Sequence, residues 1–224
     1  MTEATQFALP FAPVHRYEDE DFVPDESNEA ACEWLGRGDW PDRRLALWGP
    51  EGSGKTHLLH IWARRTGAML IEGPGFRDLS RLPESGGIAL DDASGVSDET
   101  LLLHTLNIAR DRDLLVLIAD RLPPARWEVR LPDLVSRIRA ISTVPILPPS
   151  DSLLSALLAH EFASRQLKVA PELQAMILKR LPRSAAAVLE VSGLLDHESL
   201  TMNRSITRDL VARVLARHDN VQGG

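Results

Sequence analysis

The chain has 224 residues, of which 44% are hydrophobic and 25% charged, an ordinary globular composition with material for one compound domain or two small ones. Its net charge of -7 excludes a protein that holds DNA mainly through its own charge, though not a local basic groove. One cysteine, Cys32, excludes a disulfide framework; no apolar run spans a membrane and no signal-peptide pattern opens the chain, so the cytoplasm is the expected compartment.

The chain divides into a tail over 1–12, a base domain over 13–149 and a helical domain over 150–224. The tail contains Gln6-Phe7-Ala8-Leu9-Pro10-Phe11. Spaced apolar residues and a proline make a helix difficult there. Two readings fit: an extended peptide whose apolar anchors dock in a partner's groove, or an arm folded back on its own domain. Next come Tyr17, an acidic run Glu18-Asp19-Glu20-Asp21 read as a solvated loop, and Phe22-Val23. Phe22 and Val23 fit a flat wall for an adenine ring, and equally a plain core contact. From Asn28 a helix carries Ala30, Ala31, Trp34 and Leu35, with Cys32 as a core thiol.

Leu45-Ala46-Leu47-Trp48 reads as a buried parallel strand. The residues after it, Gly49-Pro50-Glu51-Gly52-Ser53-Gly54-Lys55-Thr56, fit G-x-x-x-x-G-K-[ST], the P-loop. Glycines let the backbone wrap a phosphate chain with its N–H groups inward, and the following helix adds its positive dipole end. Lys55 is expected to reach the β- and γ-phosphates and Thr56 to ligate Mg²⁺. Leu58, Leu59, Ile61 and Trp62 recur at helical spacing, and Gly67 stops the helix.

Ala68-Met69-Leu70-Ile71 reads as a second strand. Ile88-Ala89-Leu90-Asp91-Asp92 is an apolar strand ending in two carboxylates, a Walker B pattern: Asp91 for the Mg²⁺ shell, Asp92 to orient the attacking water. Ser97 and Asp98 start a helix carrying Leu101, Leu102, Leu106 and Ile108. Leu114-Leu115-Val116-Leu117-Ile118-Ala119 is a central strand buried on both faces, with Asp120 at its tip. In this architecture that strand lies between the two Walker strands. Ser136-Arg137 follows, then a last strand near Ile141 to Ile146, and Pro148 and Pro149 mark the boundary. Beyond it the pattern is helical: Asp151 or Ser152 caps one helix, Pro171 opens a second, a third starts near Arg183 and Thr207 caps a fourth.

Strand, P-loop, Walker B, polar strand tip, Ser-Arg and helical lid come in the order of an AAA+ ATPase: an α/β fold with a P-loop NTPase core on a five-stranded parallel sheet, followed by a small all-α lid. Phe22-Val23 with Asn28, Leu103-His104-Thr105-Leu106-Asn107, Asp120-Arg121-Leu122-Pro123, Ser136-Arg137 and Leu181-Pro182-Arg183 resemble the AAA+ core of the bacterial replication initiator DnaA. The resemblance implies that Asp120 is the sensor 1 residue, Arg137 an arginine finger and Arg183 the sensor 2 arginine. The other reading of Arg137 is a surface salt-bridge arginine.

The departures narrow the resemblance. The stretch between Ile71 and Ile88 is too short for the helix pair with which the initiator grips single-stranded DNA, and the chain has no room for the initiator's terminal domains. Gln6, Phe7, Leu9, Pro10 and Phe11 resemble a β sliding clamp-binding peptide. A DnaA-like core with a clamp peptide resembles the Hda-type DnaA-related AAA+ family, which promotes hydrolysis of DnaA-bound ATP. Implied partners are DnaA, the DNA polymerase III β sliding clamp and, through the clamp, DNA; a homo-oligomer is compatible. Implied ligands are ADP or ATP with Mg²⁺, ADP being the active form, with little hydrolysis by the chain alone. The other expectations are an autonomous AAA+ ATPase or loader, and a DnaA-like scaffold without hydrolysis.

Overall fold

The computed structural model describes residues 22–202 and 205–222. The tail residues Gln6, Phe7, Leu9, Pro10 and Phe11 lie outside them. The described residues form two compact units, 22–153 and 154–222, dividing inside the first turn of a helix.

The first unit is a three-layer α/β domain. Its strands are β1 (Arg44–Trp48), β2 (Met69–Glu72), β3 (Gly87–Asp91), β4 (Leu115–Asp120) and β5 (Ser142–Pro145), all parallel in the order β2-β3-β4-β1-β5. Its helices are α1 (Glu29–Arg37), α2 (Lys55–Thr66), α3 (Glu99–Asp111) and α4 (Pro132–Arg139). Successive strand residues point to opposite faces, and both faces are covered. Leu45 and Leu47 of β1 pack with Ala31 of α1 and Leu58, Leu59 and Trp62 of α2. Ala46 between them turns to the other face, where Ile88, Leu90, Val116 and Ile118 meet Leu102 and Leu106 of α3 and Leu134 and Ile138 of α4. Each such buried Leu or Ile contributes about 1.5–3 kcal/mol relative to exposure, so a one-residue slip of β1 would be strongly resisted.

The register sets the two edges of the sheet apart. Trp48 pairs with Asp120 and Asp91 with Ala119, which gathers the P-loop, Asp91 and Asp120 at the carboxyl ends of the strands. Arg44 pairs with Val116 at the opposite edge. Five residues of β1 place Arg44 and Trp48 about 13 Å apart. Between β2 and β3 the chain makes only two single-turn 3-10 helices, Gly73–Gly75 and Leu79–Arg81, as the short spacing requires.

The second unit continues α5 (Asp151–Ser164) with α6 (Pro171–Arg180), α7 (Ala185–Met202) and α8 (Arg208–Gln222). Leu158, Phe162, Ile177, Val188, Val191, Leu195, Val211 and Leu215 form its core. Pro171 sits in the first turn of α6, and the Leu210 N–H donates to Thr207 Oγ1 at 3.3 Å, so both expected starts hold. At α5 the cap is one residue earlier than expected: the Leu153 N–H donates to Ser150 Oγ at 3.0 Å. Arg183 precedes α7, which begins at Ala185. No helix among the described residues is long and apolar enough to cross a membrane.

Candidate phosphate site and arginine pocket

The P-loop is built by two backbone hydrogen bonds and one missing side chain. The Ile146 N–H donates to the Trp48 carbonyl at 2.7 Å and the Gly49 N–H to the Asp120 carbonyl at 3.2 Å, so the loop springs from the joined tips of β5, β1 and β4. A Cβ on Gly49 would collide with the Ile146 carbonyl, which is why this position takes glycine. Gly54, with φ +97°, turns the chain directly into α2.

Lys55, only 9% exposed, opens α2. Its Nζ donates to the Pro50 carbonyl at 2.7 Å and to Ser53 Oγ at 3.4 Å, curling over the loop it is meant to serve. Burial lowers its pKa, while Asp91, Asp120 and Glu51 pull it back up. Glu51 itself pairs with Arg121 at 2.9 Å, an exposed contact worth about 0–1 kcal/mol. Thr56 Oγ1 donates to Asp91 Oδ2 at 2.7 Å. A hydroxyl and one carboxylate, both hard oxygen donors, fit a Mg²⁺ that takes its remaining ligands from water and phosphate. The described residues contain no cluster of three or more His, Cys, Asp or Glu able to hold a metal by themselves.

Asp92 follows in a left-handed conformation, φ 47°, and its N–H donates to Asp91 Oδ1 at 3.0 Å. Desolvation of its carboxyl, then repulsion from Asp120 and Asp91, pushes its pKa up. A carboxylate held above its ordinary value beside a phosphate site is a better proton acceptor for an attacking water. Asp120, at the tip of β4, is 5% exposed. Its carboxylate accepts from the N–H groups of Ser94 and Arg121, both at 2.7 Å, and of Leu122 at 3.4 Å. It ties the turn after β3 to the tip of β4. Residue type does not single out Ser94, because a backbone donor leaves no signature in it.

Phe22 meets the His57 ring edge-on, with centroids 5.6 Å apart, and packs on the core cluster of α2. The Val23 carbonyl accepts from Asn28 Nδ2 at 3.1 Å. Phe22 thus borders the P-loop helix while serving the core, and Val23 is tied to the start of α1. Cys32 is partly buried, with its Sγ 3.6 Å from Asn28 Oδ1 and its pKa raised by burial. Beside Thr56, Asp91 and Asp92 opens a cleft of about 850 Å³ whose other wall carries Arg77 and Arg81, both unremarked in the sequence.

Arg137 lies in the last turn of α4, at the opposite edge of the sheet from the P-loop. It lines a cavity of about 500 Å³ with Arg43, Arg44, Arg110, Asp42 and Asp113. The ends of α3 and α4 and the starts of β1 and β4 converge there. Arg183 is exposed in the helical unit, ahead of the Ser184 hydroxyl that accepts from the Ala187 N–H at 3.4 Å.

No protein-family model matches the chain. A protein of Haemophilus influenzae (strain ATCC 51907 / DSM 11121 / KW20 / Rd), described as "Uncharacterized protein", is 30% identical over 185 residues, covering 75% of this chain and 80% of that one. Among solved structures, domain III of the Thermotoga maritima replication initiation protein DnaA has a TM-score of 0.74 at 20% identity, covering 93% of this chain and 98% of that one. AMPPCP-bound DnaA from Aquifex aeolicus has a TM-score of 0.65 at 16% identity, over 80% of this chain and 64% of that one. The Thermotoga maritima RuvB Holliday junction branch migration motor has a TM-score of 0.66 at 17% identity, over 90% and 72%. The fold is therefore that of the AAA+ domains of DnaA and RuvB.

Proposed function

The chain belongs to the same family as the Haemophilus influenzae protein and has the AAA+ fold, and from that premise we propose that it is a nucleotide-binding regulator of replication initiation. It promotes hydrolysis of ATP held by DnaA, with Arg137 acting as an arginine finger in trans. The observation that carries this reading is the separation of the two sites. The P-loop stands at the carboxyl ends of the strands and Arg137 at the amino ends. A cation on the far edge of the sheet serves a nucleotide on another subunit, not its own.

The chain's own residues divide the work. Lys55 and the loop amides hold the phosphates of its own nucleotide, ADP or ATP, and Thr56 and Asp91 hold Mg²⁺, which neutralises phosphate charge. Phe22 and Val23 flank the base. Asp120 fixes the turn that presents Asp92. On the partner, Arg137 sets a fixed charge against the oxygens of the transferring phosphoryl group, an effect worth roughly 10³–10⁵ in rate. The Gln6–Phe11 segment binds the β sliding clamp. Tethering then raises the effective concentration of the finger at DNA-loaded clamps without a new contact to DnaA.

A second reading, an autonomous ATPase or loader, is favoured by the presence of both Walker carboxylates, Asp91 and Asp92. Hydrolysis of DnaA-bound ATP, measured with and without DNA-loaded clamp, separates them. Little turnover by the chain alone and clamp-dependent stimulation of DnaA support the regulator. Brisk turnover alone with no effect on DnaA supports the motor.

A further inference from the structure

The cavity beside Arg137 is lined by four arginines, Arg43, Arg44, Arg110 and Arg137, and two aspartates, Asp42 and Asp113, in a chain whose overall charge is negative. Three of these are otherwise placed: Arg43 pairs with Asp113 at 3.2 Å, Arg110 with Asp111 at 3.3 Å, and Arg137 sits at the end of α4, where the helix dipole favours a cation. Arg44 is different. It is 7% exposed, and the one hydrogen bond of its side chain among the described residues is from Nη2 to the Leu106 carbonyl at 3.0 Å. A guanidinium has five donors and keeps its charge, so burying it with a single neutral acceptor is unfavourable unless an anion shares the space. Arg137 and Arg110 raise that cost, and their repulsion adds to burial in pulling the Arg44 pKa down, with Asp42 opposing. The chain also holds Asp42, Arg43 and Asp113, with φ of 49°, 57° and 54°, in left-handed conformations around the rim.

We propose that this cavity is a phosphoryl-anion site with Arg44 as its floor and Arg137 at its mouth. Planar guanidinium forks match phosphate oxygens two at a time, and two of them from different elements can hold a dianion from two sides. The anion has two sources: the terminal phosphate of a nucleotide held by a second AAA+ subunit, or free inorganic phosphate. The first source rests on the reading of Arg137 as a finger in trans; the site itself does not. In the first case Arg44 is a second binding arginine for the transferred group, unread in the sequence because it looks like a flank of β1.

The test uses the full chain with its P-loop saturated by ADP, so that added phosphate cannot register there. Inorganic phosphate is titrated while the side-chain Nε–H resonances of Arg44 and Arg137 and the melting temperature are followed. The expected result is saturable movement of both resonances and a rise in Tm. Arg44→Gln should bind phosphate about tenfold more weakly or worse, yet melt no lower than the wild type without phosphate, because a buried charge with no carboxylate hydrogen-bonded to it has gone. If Arg44→Gln does not fold, Arg44→Lys keeps charge without the fork and should bind more weakly than wild type. Phosphate that moves neither resonance, or binds Arg44→Gln as well as wild type, overturns the site. The sources separate in the DnaA hydrolysis assay. Loss of stimulation by Arg44→Gln assigns the site to the partner's nucleotide; phosphate binding with full stimulation by Arg44→Gln assigns it to free phosphate. Arg137→Ala that stimulates like wild type defeats the finger reading alone, leaving the titration to decide the pocket.

Discussion

Thr56 Oγ1 donates to Asp91 Oδ2 across 2.7 Å, joining the first turn of α2 to the tip of β3 over 35 residues of chain. This bond closes the phosphate site between its two motifs. Thr56→Ala removes the hydroxyl and leaves Asp91 without that donor. ADP should still bind, while the gain in ATP affinity from added Mg²⁺ should fall about tenfold, one oxygen ligand having been lost. Calorimetry with and without Mg²⁺ decides it, and an unchanged Mg²⁺ dependence would count against the assignment.

Lys55→Ala should weaken ADP and ATP binding by roughly 2–5 kcal/mol, about 30-fold to several thousandfold, because a charge facing two phosphates is removed. The variant should fold, since Lys55 is held by a loop carbonyl and a hydroxyl rather than by a charge partner within bonding distance. Unchanged affinity on folded protein would mean the loop is not a phosphate cradle.

Arg137→Ala should keep the fold, nucleotide binding and clamp binding, and lose stimulation of DnaA-bound ATP hydrolysis by roughly 10³-fold or more. Arg137→Lys should rescue poorly, lacking the planar fork. One mutant in two assays, self-hydrolysis and DnaA-bound hydrolysis, separates regulator from motor: in the motor the loss falls on the chain's own turnover.

Replacing Gln6, Leu9 and Phe11 together by Ala should abolish capture by the β sliding clamp while leaving Tm nearly unchanged. A sharp fall in Tm would instead mean that the segment is an arm of its own domain.

Asp92→Asn gives a pH signature. The Asp92 pKa is raised above its usual 3.8, so the folded state holds that proton more tightly than the unfolded chain does. The stability this confers is complete below the unfolded value and is lost as pH rises through the folded one. At pH 7 the wild type therefore carries the cost of desolvating the Asp92 carboxylate and of its repulsion from Asp120 and Asp91, and Asp92→Asn should melt at most a few degrees higher there. The gain should vanish below the usual 3.8, where both proteins are uncharged at this position. A gain that persists in acid would point to packing rather than charge.

Sequence alone determined what is local. The P-loop spacing is legible because its turn answers to immediate backbone geometry: Gly54, at φ +97°, leads the chain straight into α2. Apolar runs ending in Asp91-Asp92 and Asp120 are legible because a parallel strand buried on both faces must be continuously apolar. Helix starts at Pro171 and Thr207 follow from capping chemistry within one turn. What only the tertiary structure decided is which distant groups meet. The carboxylate of Asp120 is bound to the Ser94 amide, 26 residues away, because β3 and β4 are neighbours in the sheet. Arg44, Arg110 and Arg137 come from a strand start and two helix ends with no common spacing. They share a cavity because a parallel sheet collects the starts of its strands, and the ends of the helices that return to them, at one edge. Residue type and interval carry no record of that edge; the register of β1 against β4 does.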